Sequence, residues 1–286
     1  MIKKYSLAFF IVMLGVGAVC ADSSTLEVVG AKENVVRFVD YKEKYGGWHD
    51  IKFRSATEEF KIYSLPARAD SAEDGVVASS DISMMSPQKK YLMVQRTDAG
   101  EVVDENGKEK ISSQAYCDVI SMETGCVKNI GSVQQCDGAW HGEVWKMATG
   151  KIFDTSTGGV SPSGLIANVA GVTESESRAS LLRDYIFMGV PSYMACYPPE
   201  KSISSYNDLA FYLAQGGEHQ LAMQIYNELL PLAPDRIPLK LNVADSLWAL
   251  GRNNEAKVLY VDYRAAMLKR GMLEKVPVRV GERLGQ

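Results

Sequence analysis

The chain has 286 residues, 46% of them apolar and 23% charged, with 31 basic against 35 acidic side chains for a formal net charge of -4. That is enough apolar chain to bury a core in one large domain or two ordinary ones. Beyond the first residues it carries no run of Lys or Arg, which excludes the electrostatic footprint of a nucleic-acid binder.

The N-terminus reads as a secretory leader over residues 1–21. Lys3 and Lys4 form a positive flank, an apolar run follows from Leu7 to Val19, and small residues precede Asp22, so cleavage is expected after Ala21. The run is shorter than the roughly 20 residues a permanent membrane span requires. A lipid-modified Cys20 is the weaker alternative, because Val19 stands where such sites carry Gly, Ala or Ser. The expected location is therefore periplasmic or secreted.

Residues 22–155 read as a β-rich domain. Ile51 to Phe53 and Phe60 to Tyr63 alternate apolar and polar residues as half-buried strands do. Turns are expected at Ser86-Pro87-Gln88-Lys89-Lys90, at Asn106-Gly107, where a type I′ turn needs positive φ, and at Glu123-Thr124-Gly125. Met85 to Val94 followed by Cys117 to Ile120 resembles one blade of a propeller-type β-repeat. No matching set of blades accompanies it, so the expectation is a sandwich or an open sheet.

Four cysteines follow the leader: Cys117, Cys126, Cys136 and Cys196. An even number in an oxidising compartment implies two disulfides with three possible connectivities. With Ser121 opposite Cys126 across the Glu-Thr-Gly turn, Cys117 lies four residues further along its strand, which sets it past the roughly 7 Å from Cys126 that a bridge allows between α-carbons. The expected pairing is Cys126 with Cys136 and Cys117 with Cys196. Zinc is the rival reading, but no CxxC pair is present and His49, His141 and His219 are scattered.

Residues 156–200 read as a linker and a bridging helix. Thr155 to Gly171 is rich in Gly, Ser and Thr. Glu174 to Met188 follows with Leu181, Leu182, Tyr185 and Ile186 on one side and acidic residues at its start. The Pro198-Pro199 pair is the expected boundary before residues 201–286.

That last segment repeats at a spacing of 34. Leu209 recurs as Val243, Ala210 as Ala244, Leu213 as Leu247, Gly217 as Gly251, Ala222 as Ala256 and Tyr226 as Tyr260, with Pro234 ending the first unit. The small residues let two antiparallel helices approach, the glycine ends a helix, and the tyrosine fills the gap towards the next hairpin. These residues resemble the tetratricopeptide pattern. They depart from it at Lys240, where an aromatic is common, and at Leu268, where a proline is common.

The resemblance implies two helical hairpins and an inner surface, built by the first helix of each, that holds a protein or peptide. Carried over position by position, that surface comprises Asn207, Phe211, Leu241, Asp245 and Trp248, with Phe211 and Trp248 as anchors. The alternative is that both aromatics pack against the chain itself. Two repeats are fewer than the three or so a stable stack uses, so Met267 to Leu284, the Glu174 helix or dimerisation is expected to cover the ends.

Catalytic motifs are weak. Ser86-Pro87-Gln88-Lys89 matches a Ser-x-x-Lys pattern but sits in a proline turn. Gly159 to Gly164 fails the nucleophile-elbow spacing, which leaves its serines as loop residues. Asp104 to Glu109 lacks the alternating ligands of a calcium loop, and His141 has no sequence-evident partner. No enzyme and no cofactor are expected. Residues 22–200 hold 18 basic and 26 acidic side chains against 11 and 9 in residues 201–286. The α+β chain is thus expected to be an exported interaction protein. The alternatives are an immunity-type inhibitor whose β-domain covers a toxin and, third, an envelope enzyme.

Overall fold

The computed structural model describes residues 25–66, 73–103, 107–155 and 158–285. The leader 1–21 and residues 104–106 of the acidic run lie outside them. The class is α+β, an antiparallel β region followed by helices.

The strands are β1 (Thr25–Val29), β2 (Val35–Lys42), β3 (Gly47–Arg54), β4 (Glu59–Ile62), β5 (Glu73–Met85), β6 (Tyr91–Val103), β7 (Glu109–Ser121) and β8 (Val127–Ser132). They form one open antiparallel sheet in the order β1-β2-β3-β5-β6-β7-β8, with β4 beside β3. A second sheet of three short strands, β9 (Gly138–His141), β10 (Val144–Met147) and β11 (Ile152–Asp154), lies beyond it. The expected proline and Glu-Thr-Gly turns are present, and the strands on either side of the Asn-Gly pair form a hairpin, with Asn106 itself outside the described residues. Met85 and Tyr91 flank the proline turn, Val103 pairs with Glu109 across the Asn-Gly hairpin, and Gly125 N–H donates to Ser121 O at 2.8 Å. Gly125 has φ +73, and a Cβ there would lie 2.5 Å from the Phe60 ring, so both its backbone and its surroundings require glycine.

Alternation sorts the strand residues between two cores. Leu92, Val94, Ile120 and Val127 face the helices, whereas Met93, Cys117 and Val119 face the small sheet and pack with Trp145, Met147 and Cys136. This sorting overturns the expected disulfides. The bridges are Cys117–Cys136 and Cys126–Cys196, with Cα separations of 5.4 and 4.8 Å. Cys117 points away from the helix that carries Cys196, so the two cannot meet. A bulge also shifts the register, leaving Asp118 opposite Asn129 and Cys117 opposite Gly131.

The helices are α1 (Pro162–Val169), α2 (Ser175–Tyr185), α3 (Val190–Cys196), α4 (Ile203–Gln215), α5 (His219–Leu232), α6 (Ile237–Ala249), α7 (Asn253–Lys269) and α8 (Val278–Leu284). The helix α1 replaces part of the expected linker. Ser161 caps it by accepting from Gly164 N–H at 3.3 Å and Pro162 occupies its first turn, so Ser161 and Ser163 belong to a helix start rather than a loop. Glu174 caps α2, accepting from the backbone N–H of Glu176 and Ser177. Its buried stripe is Ala179, Leu182 and Ile186; Leu181 and Tyr185 are exposed, contrary to the expected face.

The 34-residue repeat folds as two antiparallel hairpins, α4 with α5 and α6 with α7. Ala210, Ala222, Ala244, Ala256, Tyr226 and Tyr260 are all fully buried. Gly217 at φ +87 and Gly251 at φ +74 turn each hairpin. The ends of the stack are covered by the chain itself. Gly216 lies so close to α2 that a Cβ would meet that of Ala179 at 2.3 Å, and α8 packs on α7 through fully buried Val280. One apolar cluster runs from Val28 in β1 through all the helices to Val280.

Candidate functional site

Helix geometry places the five expected docking residues. Leu241, Asp245 and Trp248 are spaced to share one face of α6, and Asn207 and Phe211 share one face of α4. The two helices are joined there by Asn242 Nδ2, which donates to Asn207 Oδ1 at 3.2 Å. Asn207 is buried, so its role is to hold α4 to α6. Phe211 is 38% exposed, while Leu241 and Trp248 are half-buried against the core.

Asp245 is the polar centre of this face. Arg279 of α8 grips it with a fork, Nη2 to Oδ2 at 2.7 Å and Nε to Oδ1 at 3.1 Å. Arg283 Nη1 donates to Oδ1 at 2.6 Å, and the Tyr260 hydroxyl to the same oxygen at 2.7 Å. The Arg283 guanidinium also lies 5.2 Å from the Trp248 ring centre and 5.6 Å from that of Tyr260, within cation–π range. The chain's own terminal helix therefore covers Asp245 and Trp248 and leaves Phe211 in the open. Sequence reasoning missed Arg279, Arg283 and Tyr260 as members of this site; the signal was two arginines four apart in a short segment after the repeat.

Burial pushes the Asp245 carboxyl up, but hydrogen bonds from Arg279 and Tyr260 and the charges of Arg279 and Arg283 outweigh it and hold it below its ordinary value. His219 lies nearby at 3.5 Å from Ser246 Oγ; burial lowers its pKa against the pull of Asp245, so it is neutral at pH 7. A depressed carboxyl stabilises the fold above its unfolded pKa, and that stabilisation is lost as pH falls through the folded value. The docked helix α8 is thus expected to hold from pH 7 to 5 and to loosen only below the ordinary aspartate value of 3.8. The Val280 methyl resonances would report this acid transition in the wild type. An Asp245→Asn chain, already loosened, would show none.

A second concave feature lies where the sheet meets the helices. It is a cleft of about 450 Å³ lined by Tyr116, Lys128, Phe187, Tyr193 and Tyr197, with Arg96 and Asp98 at one side. Beneath it Arg96 and Asp118 form a buried ion pair, Nε to Oδ2 at 2.7 Å, with side-chain exposures of 4% and 0%. Asp118 also accepts from the Tyr63 hydroxyl at 2.9 Å and from Asn129 Nδ2 at 2.7 Å. Tyr116 and Phe187 flank the guanidinium at 4.3 and 4.4 Å. Burial acts against the Arg96 charge, but Asp118 and Asp98 more than offset it, and burial pushes the Tyr63 hydroxyl well above its ordinary value. Arg96, Asp118, Tyr63 and Asn129 are bonded to one another through Asp118, and Phe187 packs on the guanidinium, so the cluster ties the sheet to the segment after α2. A trace of it was legible: Val94 to Arg96 and Asp118 to Ile120 set charges into series that point inward.

Ser86 is buried in its turn and donates to Glu143 Oε2 at 2.7 Å, and His141 is exposed. Among the described residues no group of three or more His, Cys, Asp or Glu side chains is arranged to hold a metal ion, and no helix is long and apolar enough to cross a membrane. The sequence matches no protein-family model, no curated protein and no solved structure.

Proposed function

We propose that the protein is an exported interaction protein that holds another polypeptide against the inner face of its two tetratricopeptide-like hairpins. The observation that carries this reading is the face made by α4 and α6. There Phe211 on α4 is exposed, Trp248 on α6 is half-buried, and Asp245 sits at the centre of a set of polar contacts. Aromatic anchors around a charged centre are the usual make-up of an interface hot spot. Two disulfides that close loops of the chain suit an oxidising compartment and support export. The N-terminal leader supports it too.

Site-specific photo-crosslinking tests the reading. A benzoylphenylalanine at Phe211 in the producing cells is expected to give a discrete adduct that Trp248→Ala reduces about tenfold, as loss of a hot-spot aromatic does. The same probe at Val258, 63% exposed on the outer helix, should give none. Equal adducts at both positions, or an adduct indifferent to Trp248, would remove the inner face from the proposal. The mass of the exported chain, beginning at Asp22, checks the compartment in the same sample.

A further inference from the structure

The inner face carries a bound segment already, and that segment states which chemistry the face accepts. Asp245 receives both nitrogens of the Arg279 fork and one from Arg283, while the Arg283 guanidinium lies 5.2 Å from the Trp248 ring centre and 5.6 Å from that of Tyr260. A planar guanidinium meets these demands together, since it can chelate a carboxylate and stack on a ring; a lysine ammonium meets only the charge. Val280, next to Arg279, is fully buried and adds an apolar anchor.

We propose that Asp245, Trp248 and Tyr260 form a guanidinium-recognition site, and that the partner segment it takes is a helical turn with two arginines four residues apart and an aliphatic residue after the first. Helix α8 is the tethered stand-in for that segment. The inference rests on the docking role proposed above and names the partner chemistry of the same face. A tether of this kind holds its ligand at an effective concentration on the order of millimolar. A partner displaces α8 when its own affinity exceeds that competition, and exposed Phe211 on α4, outside the Asp245 contacts, is free to supply added area for it.

The test uses the full chain with Arg279→Glu and Arg283→Glu, which repels α8 from Asp245, and a synthetic peptide of residues 276–285 as the probe. The Trp248 indole N–H resonance, assigned by Trp248→Phe, is followed during titration. The peptide is expected to shift it saturably in the charge-reversed chain at concentrations at least about tenfold lower than in wild type, consistent with removal of a millimolar internal competitor. Adding Asp245→Asn should abolish the shift, and a peptide with both arginines changed to lysine should be markedly weaker.

If the charge-reversed chain unfolds, Arg279→Gln with Arg283→Gln replaces it. No saturable shift, or equal response to the lysine peptide, overturns guanidinium recognition. A dimer seen by light scattering in wild type but not in the variants also overturns it, because α8 would then be exchanged between copies. These results leave the crosslinks at Phe211 standing or falling by themselves, so the two ideas fail separately.

Discussion

Asp118→Ala loses about 3–5 kcal/mol of unfolding free energy, because it removes one partner of a buried ion pair and strands the other. The Arg96 guanidinium is 4% exposed, and once Asp118 is gone its ion-pair partner among the described residues is Asp98, at the surface. Tyr63 and Asn129 lose their acceptor in the same step. The pair as a whole is a weaker source of stability than this figure suggests, since desolvating both charges costs much of their attraction. Replacing both, Arg96→Met with Asp118→Leu, is therefore expected to recover most of the loss. Urea unfolding followed by circular dichroism measures both effects as midpoint shifts at constant slope. A single-variant loss under about 1 kcal/mol, well short of the range for a stranded charge, would mean that water or another group already serves Arg96.

Removing the Cys126–Cys196 bridge is the second large effect. It closes 70 residues of sequence, against 19 for Cys117–Cys136. Chain-entropy reasoning assigns the longer loop about 4 kcal/mol and the shorter about 3 kcal/mol. Their places in the fold add to the contrast. Cys126–Cys196 fastens the sheet to α3, where Ser192 Oγ also donates to Gly125 O at 2.7 Å, whereas Cys117–Cys136 fastens the sheet to a neighbouring turn on the opposite face. Paired serine variants compared by urea midpoint are expected to fall in that order, and a non-reducing peptide map should recover the 117–136 and 126–196 fragments. The reverse order, or a fragment joining Cys117 to Cys196, would contradict the assigned pairing.

The helical half was legible because its signal is local and repeated. Packing two helices at close range calls for Ala at the crossing, and the same demand recurs 34 residues later, at Ala210 and Ala244. The strands were legible through alternation and turns. What escaped was set by distance in the chain. Which face a cysteine occupies depends on register, and one bulge between Cys117 and Asp118 changes the residue across from it. Helix α1 hid among Gly and Ser residues, since a cap and a proline are faint against such a background.

The face shared by α4 and α6 shows the same division. Leu241, Asp245 and Trp248 came from the tetratricopeptide resemblance, carried over position by position along one helix. That Arg279 and Arg283 would come to rest on Asp245 required the fold of a later segment. The fate of Leu181 and Tyr185 likewise turned on which side of α2 meets α4, and the close approach of Ala179 to Gly216 decided it.

The apolar cluster that joins Val28 to Val280 bears on how the chain reaches its native state after synthesis. The main sheet ends at Ser132 and the helices that close over it begin at Pro162, so its inner surface stays wet until α1 to α3 have been made. Such a molecule matures late and all at once, with long-range closure as its slow step. Until that closure Leu92, Val94 and Ile120 are open to wrong partners, which makes the interval of synthesis the stretch most prone to misassembly.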